Sequence, residues 1–205
     1  SMHFGTRVCF KNVLAAKIAA IFGWAALLHH EQVGGIIFND DKSEYIKPRR
    51  SRQALLDLFN LLTATNNGLK SYNGNLNNAL QLLSKNIQSG SIVVIISDYF
   101  NFDTTGQTYL RLIARKCEVI NLFLYDSLER SLPTESGSYY FTNDGKFQLE
   151  VSANKRNNLT YAKNFMHRFN HIQSLAQQNH MQFVDIKTND NLIQKINHGI
   201  MKYGY

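Results

Sequence analysis

The sequence predicts a doubly wound α/β domain: a mostly parallel sheet with helices on both faces. Three observations predict it. Ser91-Ile-Val-Val-Ile-Ile96 and Glu118-Val-Ile-Asn-Leu-Phe-Leu124 are apolar at nearly every position, the pattern of strands buried on both faces. A helical stretch from about Tyr109 to Arg115 lies between them, which makes a strand–helix–strand unit. Elsewhere, helical periodicity alternates with short β-rich runs, with no linker, repeat or low-complexity tract, so residues 1–205 read as one domain.

The elements follow in order. Leu14, Ile18, Ile21, Phe22, Ala25 and Leu28 recur at helical spacing and predict a helix from about Val8 to His30. Lys11 and Lys17 are read as lying off that stripe, and Trp24 as packing on the same helix. Gln32 to Phe38 is a β-rich run ending at the turn signal Asn39-Asp40-Asp41, with Tyr45 and Ile46 as its hairpin partner. Leu55, Leu58, Phe59 and Leu62 mark a second helix; Leu76, Ala79, Leu80, Leu83 and Ile87 mark a third. After the two apolar strands, Tyr139-Tyr-Phe141 and Lys146-Phe-Gln-Leu149 flank Thr142-Asn-Asp-Gly145 as a small β-hairpin insertion. Leu159, Ala162, Met166, Phe169, Ile172 and Ala176 define a long helix, Gln182 to Ile186 a last strand, and Leu192, Ile196 and Ile200 a last helix. Only about seven residues precede the first helix. The first central strand is therefore expected to be missing, and the exposed ladder predicts pairing with another chain, as a homodimer or by strand exchange.

Composition bounds the class. Of 205 residues, 44% are hydrophobic, with 13 Phe and 10 Tyr, which excludes a disordered chain. Two cysteines, Cys9 and Cys117, are too few for a disulfide framework and predict a reducing, cytoplasmic setting. The nearly apolar run Ile18 to Leu28 is too short to span a bilayer, so no membrane segment is expected. A net charge of +7 permits acidic partners without demanding nucleic acid.

In open α/β sheets, ligands gather at the carboxyl ends of strands. Here those ends are Ser97-Asp98 and Tyr125-Asp126. A carboxylate there can hold a hard cation, or simply cap the next turn. Other candidates have plain readings. His167 and His171, four apart on a helix, lack the Glu of a His-Glu-x-x-His zinc site and read as a solvated pair. His29-His30 reads as a helix C-terminal cap. Lys47, Arg49, Arg50 and Arg52 form the densest basic cluster and read as the solvated entrance to the second helix, with partner contact as the sharper option. Asp126 reads as the end of a strand and Glu129 as a loop cap rather than a catalytic pair. Both cysteines read as small apolar residues. No Gly-rich phosphate loop occurs.

Several pieces carry a family resemblance in order: Ser1-Met-His-Phe-Gly5, Glu31-Gln-Val-Gly34 through Phe38, Lys47-Pro-Arg-Arg50, Leu76-Asn-Asn-Ala-Leu80, Ile95-Ile-Ser-Asp98, and Asp126-Ser-Leu-Glu-Arg-Ser-Leu-Pro133 with Gly137. Together they resemble the conserved part of the bacterial proteins called domain of unknown function 58, with a von Willebrand factor A-like fold. The resemblance implies a three-loop metal site. Ser1 matches its last first-loop Ser and Asp98 its third-loop Asp. Gly74, between Asn73 and Asn75, stands where the second loop carries Thr. The first-loop Asp-x-Ser is absent, so this degenerate site predicts no tightly held metal, although the same loops in a longer parent could hold Mg²⁺.

The resemblance also implies a partner, because such proteins accompany MoxR-type AAA+ ATPases. The expectation is a non-enzymatic adaptor whose partner-facing rim comprises Ser1, Asn73, Gly74, Asn75, Asp98, Arg49 and Arg50. The alternatives are a divalent-metal-dependent hydrolase using Asp98, and a basic-surface nucleic-acid binder using Arg49 and Arg50.

Overall fold

The computed structural model describes residues 2, 9–38, 43–66, 75–130, 138–142, 148–152 and 155–201. Fourteen elements run α1 (Lys11–Leu28), β1 (Val33–Phe38), β2 (Ser43–Arg49), α2 (Arg52–Asn66), α3 (Leu76–Asn86), β3 (Ile92–Ser97), α4 (Thr104–Ala114), β4 (Glu118–Tyr125), α5 (Ser127–Arg130), β5 (Ser138–Thr142), β6 (Gln148–Ser152), α6 (Lys155–Gln178), β7 (Gln182–Lys187) and α7 (Leu192–Met201).

The centre is the parallel ladder β3-β4-β7, in which Ile95 pairs with Asn121 and Leu122 with Val184. Period-two alternation divides β4 between two cores. Val119, Phe123 and Tyr125 face α3, α4 and α6, in a cluster with Leu80, Leu110 and Ile172. Ile120, Leu122 and Leu124 face α1 and α7, with Leu14, Ile18 and Ile196. Helices thus cover both faces, as the apolar strands predict. Phe123 lies within 5.4–6.3 Å of Tyr99, Tyr125, Phe165, Phe169 and Phe183. Burying one such ring stabilises the fold by about 2–3 kcal/mol.

The strands do not form one continuous sheet. β1 and β2 form their own antiparallel pair, with Gly35 opposite Ile46, and do not join the parallel ladder. Among the described residues no strand lies between this hairpin and β3, so the two sheets stay separate. The predicted insertion is present as the antiparallel pair β5–β6, although its turn lies outside the described residues.

Helix α1 departs from its predicted face. Leu14 and Ile18 are buried, but Ile21, Trp24 and Leu28 are exposed, so the expectation that Trp24 packs inside is corrected. The helix is apolar nearly all round, and only its inner stripe finds a partner. Its buried Gly23 lets Leu55 of α2 approach, since a Cβ there would collide with the leucine methyl. By length and composition α1 is also long and apolar enough to cross a membrane, which the shorter run from Ile18 did not indicate. The helix closes on backbone bonds: His30 is left-handed (φ 58°) and Glu31 N–H donates to Ala26 O (2.9 Å). The C-terminal cap at His29-His30 is thus built by the chain path.

Candidate functional site at the strand tips

Lys11 is the residue most misjudged from sequence. It occupies the first turn of α1, where the helix dipole disfavours a cation. Its side chain is nevertheless 0% exposed. The ammonium lies 2.7 Å from Asp98 Oδ2, beyond the tip of β3, and 2.6 Å from Glu129 Oε1, on α5 beyond the tip of β4. A buried ammonium persists only when carboxylates compensate its lost hydration. Here two do.

The network continues from each carboxylate. Asp98 is 3% exposed, and its Oδ1 accepts Phe100 N–H (3.2 Å). Glu129 Oε2 accepts Asp126 N–H (2.8 Å), while Asp126 Oδ1 accepts Leu128 N–H (3.0 Å). These reciprocal bonds make Asp126-Ser-Leu-Glu129 a capping box at the start of α5: Asp126 follows the end of β4 as the sequence predicts, while Glu129 caps this turn rather than the loop toward Leu132 and Pro133. Asp126 Oδ2 also accepts the Thr188 hydroxyl (2.7 Å), which ties in the tip of β7. Cys9 Sγ, just before α1, lies 3.5 Å from Thr188 O. All three parallel strands therefore end on one hydrogen-bonded cluster closed by Lys11.

The loop after Asp98 is held under backbone strain. Tyr99 and Asn101 are left-handed, at φ 54° and 59°, a conformation costing about 1–2 kcal/mol per non-glycine residue. Tyr99 turns inward: its hydroxyl donates to Asn121 Oδ1 (2.7 Å), and Asn121 donates to Gln182 O (3.0 Å). Burial drives the Tyr99 phenol well above its ordinary pKa. Phe100, between the two left-handed residues, turns outward and is 46% exposed. Tyr125 is pushed up to about 12, first by burial and then by the Asp185 carboxylate, which accepts its hydroxyl at 3.2 Å.

The remaining sequence candidates scatter. Asn75 caps α3, accepting Asn78 N–H at 3.1 Å. Ser1, Asn73 and Gly74 lie outside the described residues. Arg49 pairs with Asp57 of α2 (2.7 Å), and this exposed pair marks the helix entrance. Arg49 is in register with Val33, just beyond the C-terminal end of α1, whereas Lys11 sits at the other end. An 18-residue helix spans about 27 Å, so Arg49 and Arg50 do not join Asp98 in one rim. His167 and His171 stack at 6.4 Å. No group of three or more potential metal-ligating side chains occurs among the described residues. Cys117 is buried, which pushes its thiol pKa up.

The site is thus a charge-compensated strand-tip cluster on a three-stranded parallel α/β scaffold. Two solved structures share this architecture. The conserved hypothetical protein BatB from Bacteroides thetaiotaomicron is 17% identical, with a TM-score of 0.59 over 98% of this chain and 93% of that one. An aerotolerance-related membrane protein from Bacteroides fragilis is 14% identical, with a TM-score of 0.53 over 94% and 89% of the two chains. No curated protein matches the sequence. The chain belongs to the family described as protein of unknown function DUF58, which matches residues 1–169.

Proposed function

We propose that this chain is a non-enzymatic protein-interaction module, an adaptor of a MoxR-type AAA+ ATPase. The observation that carries this reading is the internal closure of the strand-tip charges. In folds of this kind, a catalytic or metal-binding carboxylate must face the ligand crevice with lone pairs available. Asp98 and Asp126 are instead almost completely buried, and Lys11, Thr188 and backbone N–H groups engage them. The Lys11 ammonium already neutralises Asp98 and Glu129, which favours a module that works without a divalent cation.

That closure also disfavours the hydrolase reading, which needs Asp98 to reach a substrate. The nucleic-acid reading has less support, because Arg49 faces Asp57 rather than standing in an all-basic patch. The choice of ATPase comes from the family resemblance, and a cytoplasmic location follows from the partner's need for ATP. The test is co-purification with the MoxR-type ATPase of the same genome, with ATP turnover measured as the chain is added. Stable association with altered turnover is expected. No association and unchanged turnover would overturn the adaptor role.

A further inference from the structure

Among the described residues, the strand-tip surface offers a cation that no acid engages. Arg168, on α6, holds its guanidinium 5.7 Å from the Phe100 ring, 5.9 Å from Phe123 and 5.8 Å from Phe165. Arginine over aromatic faces is a favourable arrangement, but it satisfies none of the five N–H donors. Arg168 Nε is buried without a hydrogen-bond partner, and the residue makes no ion pair among the described residues. Its ring partner Phe100 is 46% exposed, fixed between two left-handed residues and anchored by its own N–H to Asp98. An outward aromatic, on a loop anchored to the Lys11 cluster through Asp98, therefore stands beside a planar cation on α6. Arginine and aromatic residues packed together are the typical anchors of protein interfaces.

We infer that Phe100 and Arg168 form a docking site for an acidic, apolar-flanked segment of a protein partner: a carboxylate engages the guanidinium, and a neighbouring apolar side chain covers the Phe100 ring. Charge complementarity selects this occupant, since the chain carries a net +7 and this guanidinium has no acid beside it among the described residues. A polyanion is a poorer fit, because phosphate backbones are held by several spaced cations rather than one set among aromatic rings. The docking site deepens the interaction-module reading and rests on it.

The test uses random short peptides displayed on phage, panned against the full chain; the consensus peptide is then synthesised with a fluorophore and titrated by anisotropy. The expected consensus places Asp or Glu beside Leu, Phe or Trp. Phe100→Ala and Arg168→Gln should each weaken binding about tenfold, the scale of an interface anchor. Ile92→Ala, at an exposed apolar site on the amino end of β3, and Arg49→Gln should leave binding unchanged. Phe100→Ala removes an exposed side chain and keeps the fold, so it decides the matter even if Arg168→Gln unfolds. A consensus without acid, or binding indifferent to Phe100→Ala, overturns the site. So does Arg168-dependent capture of a single-stranded oligonucleotide or anionic vesicles in place of peptides. If the ATPase responds equally to wild type and Phe100→Ala, the adaptor role stands and this site falls. Peptide binding as expected, beside an ATPase that ignores the wild-type chain, keeps the site and removes the adaptor role.

Discussion

Two ion pairs at opposite ends of α1 have the same length and different consequences. Lys11–Asp98 and Arg49–Asp57 both measure 2.7 Å. The first lies in the interior, shares its ammonium with Glu129, and fixes three strand tips and a strained loop. The second is open to water, with side chains 51% and 36% exposed. Distance does not set the worth of an ion pair; surroundings do. In water the attraction is screened and largely offset by hydration and side-chain entropy, whereas a buried charge stripped of its partner has nothing to replace it.

The largest effect should come from removing the buried cation. Lys11→Met removes the ammonium that Asp98 and Glu129 share in the interior and should cost about 3–5 kcal/mol of stability, read from urea unfolding at neutral pH. A smaller loss is expected at the same end of the helix. Tyr99→Phe removes the hydrogen to Asn121 and should cost about 1–2 kcal/mol, measured the same way.

The tip tyrosines give a pH signature. Tyr99 and Tyr125 both have raised pKa values in the fold, Tyr125 to about 12 against an ordinary value of 10.0. Above pH 10 the unfolded state therefore releases protons that the folded state retains. Their contribution is fully present below about pH 10 and is lost as pH climbs through the folded values. Thermal melts should fall steeply from about pH 10 upward, and Tyr125→Phe should shallow that fall. At the exposed end, the Asp57 carboxyl is held below its usual range chiefly by the Gln53 amide, with Arg49 assisting. Arg49→Gln should nonetheless leave the melting temperature unchanged, in low salt and high salt alike.

Much of the scaffold was legible because burial on both faces leaves a plain trace. The runs Ser91 to Ile96 and Glu118 to Leu124 announced a covered parallel sheet, and Asp126 and Glu129 read as a strand end and a loop cap rather than as a catalytic pair. The four-residue α5 was missed, being too short to show a period. Lys11 was misjudged although a signal existed. It stands three residues before Leu14 and seven before Ile18, the spacing of the buried face, and it carries positive charge at a helix N-terminus. A cation so placed needs acids nearby. Which acids was beyond sequence reasoning, because Asp98 and Glu129 lie 87 and 118 residues away. The setting of Arg168 was equally hidden, since it depends on which rings and acids the fold brings beside it.

Urea unfolding of the wild type and of Lys11→Met, each in EDTA and in millimolar Mg²⁺, decides whether Lys11 is the resident cation of the strand tips. If it is, the wild-type midpoint is the same in both buffers and falls sharply on substitution. A wild-type midpoint that rises with Mg²⁺, or a Lys11→Met midpoint equal to that of the wild type, would contradict that role.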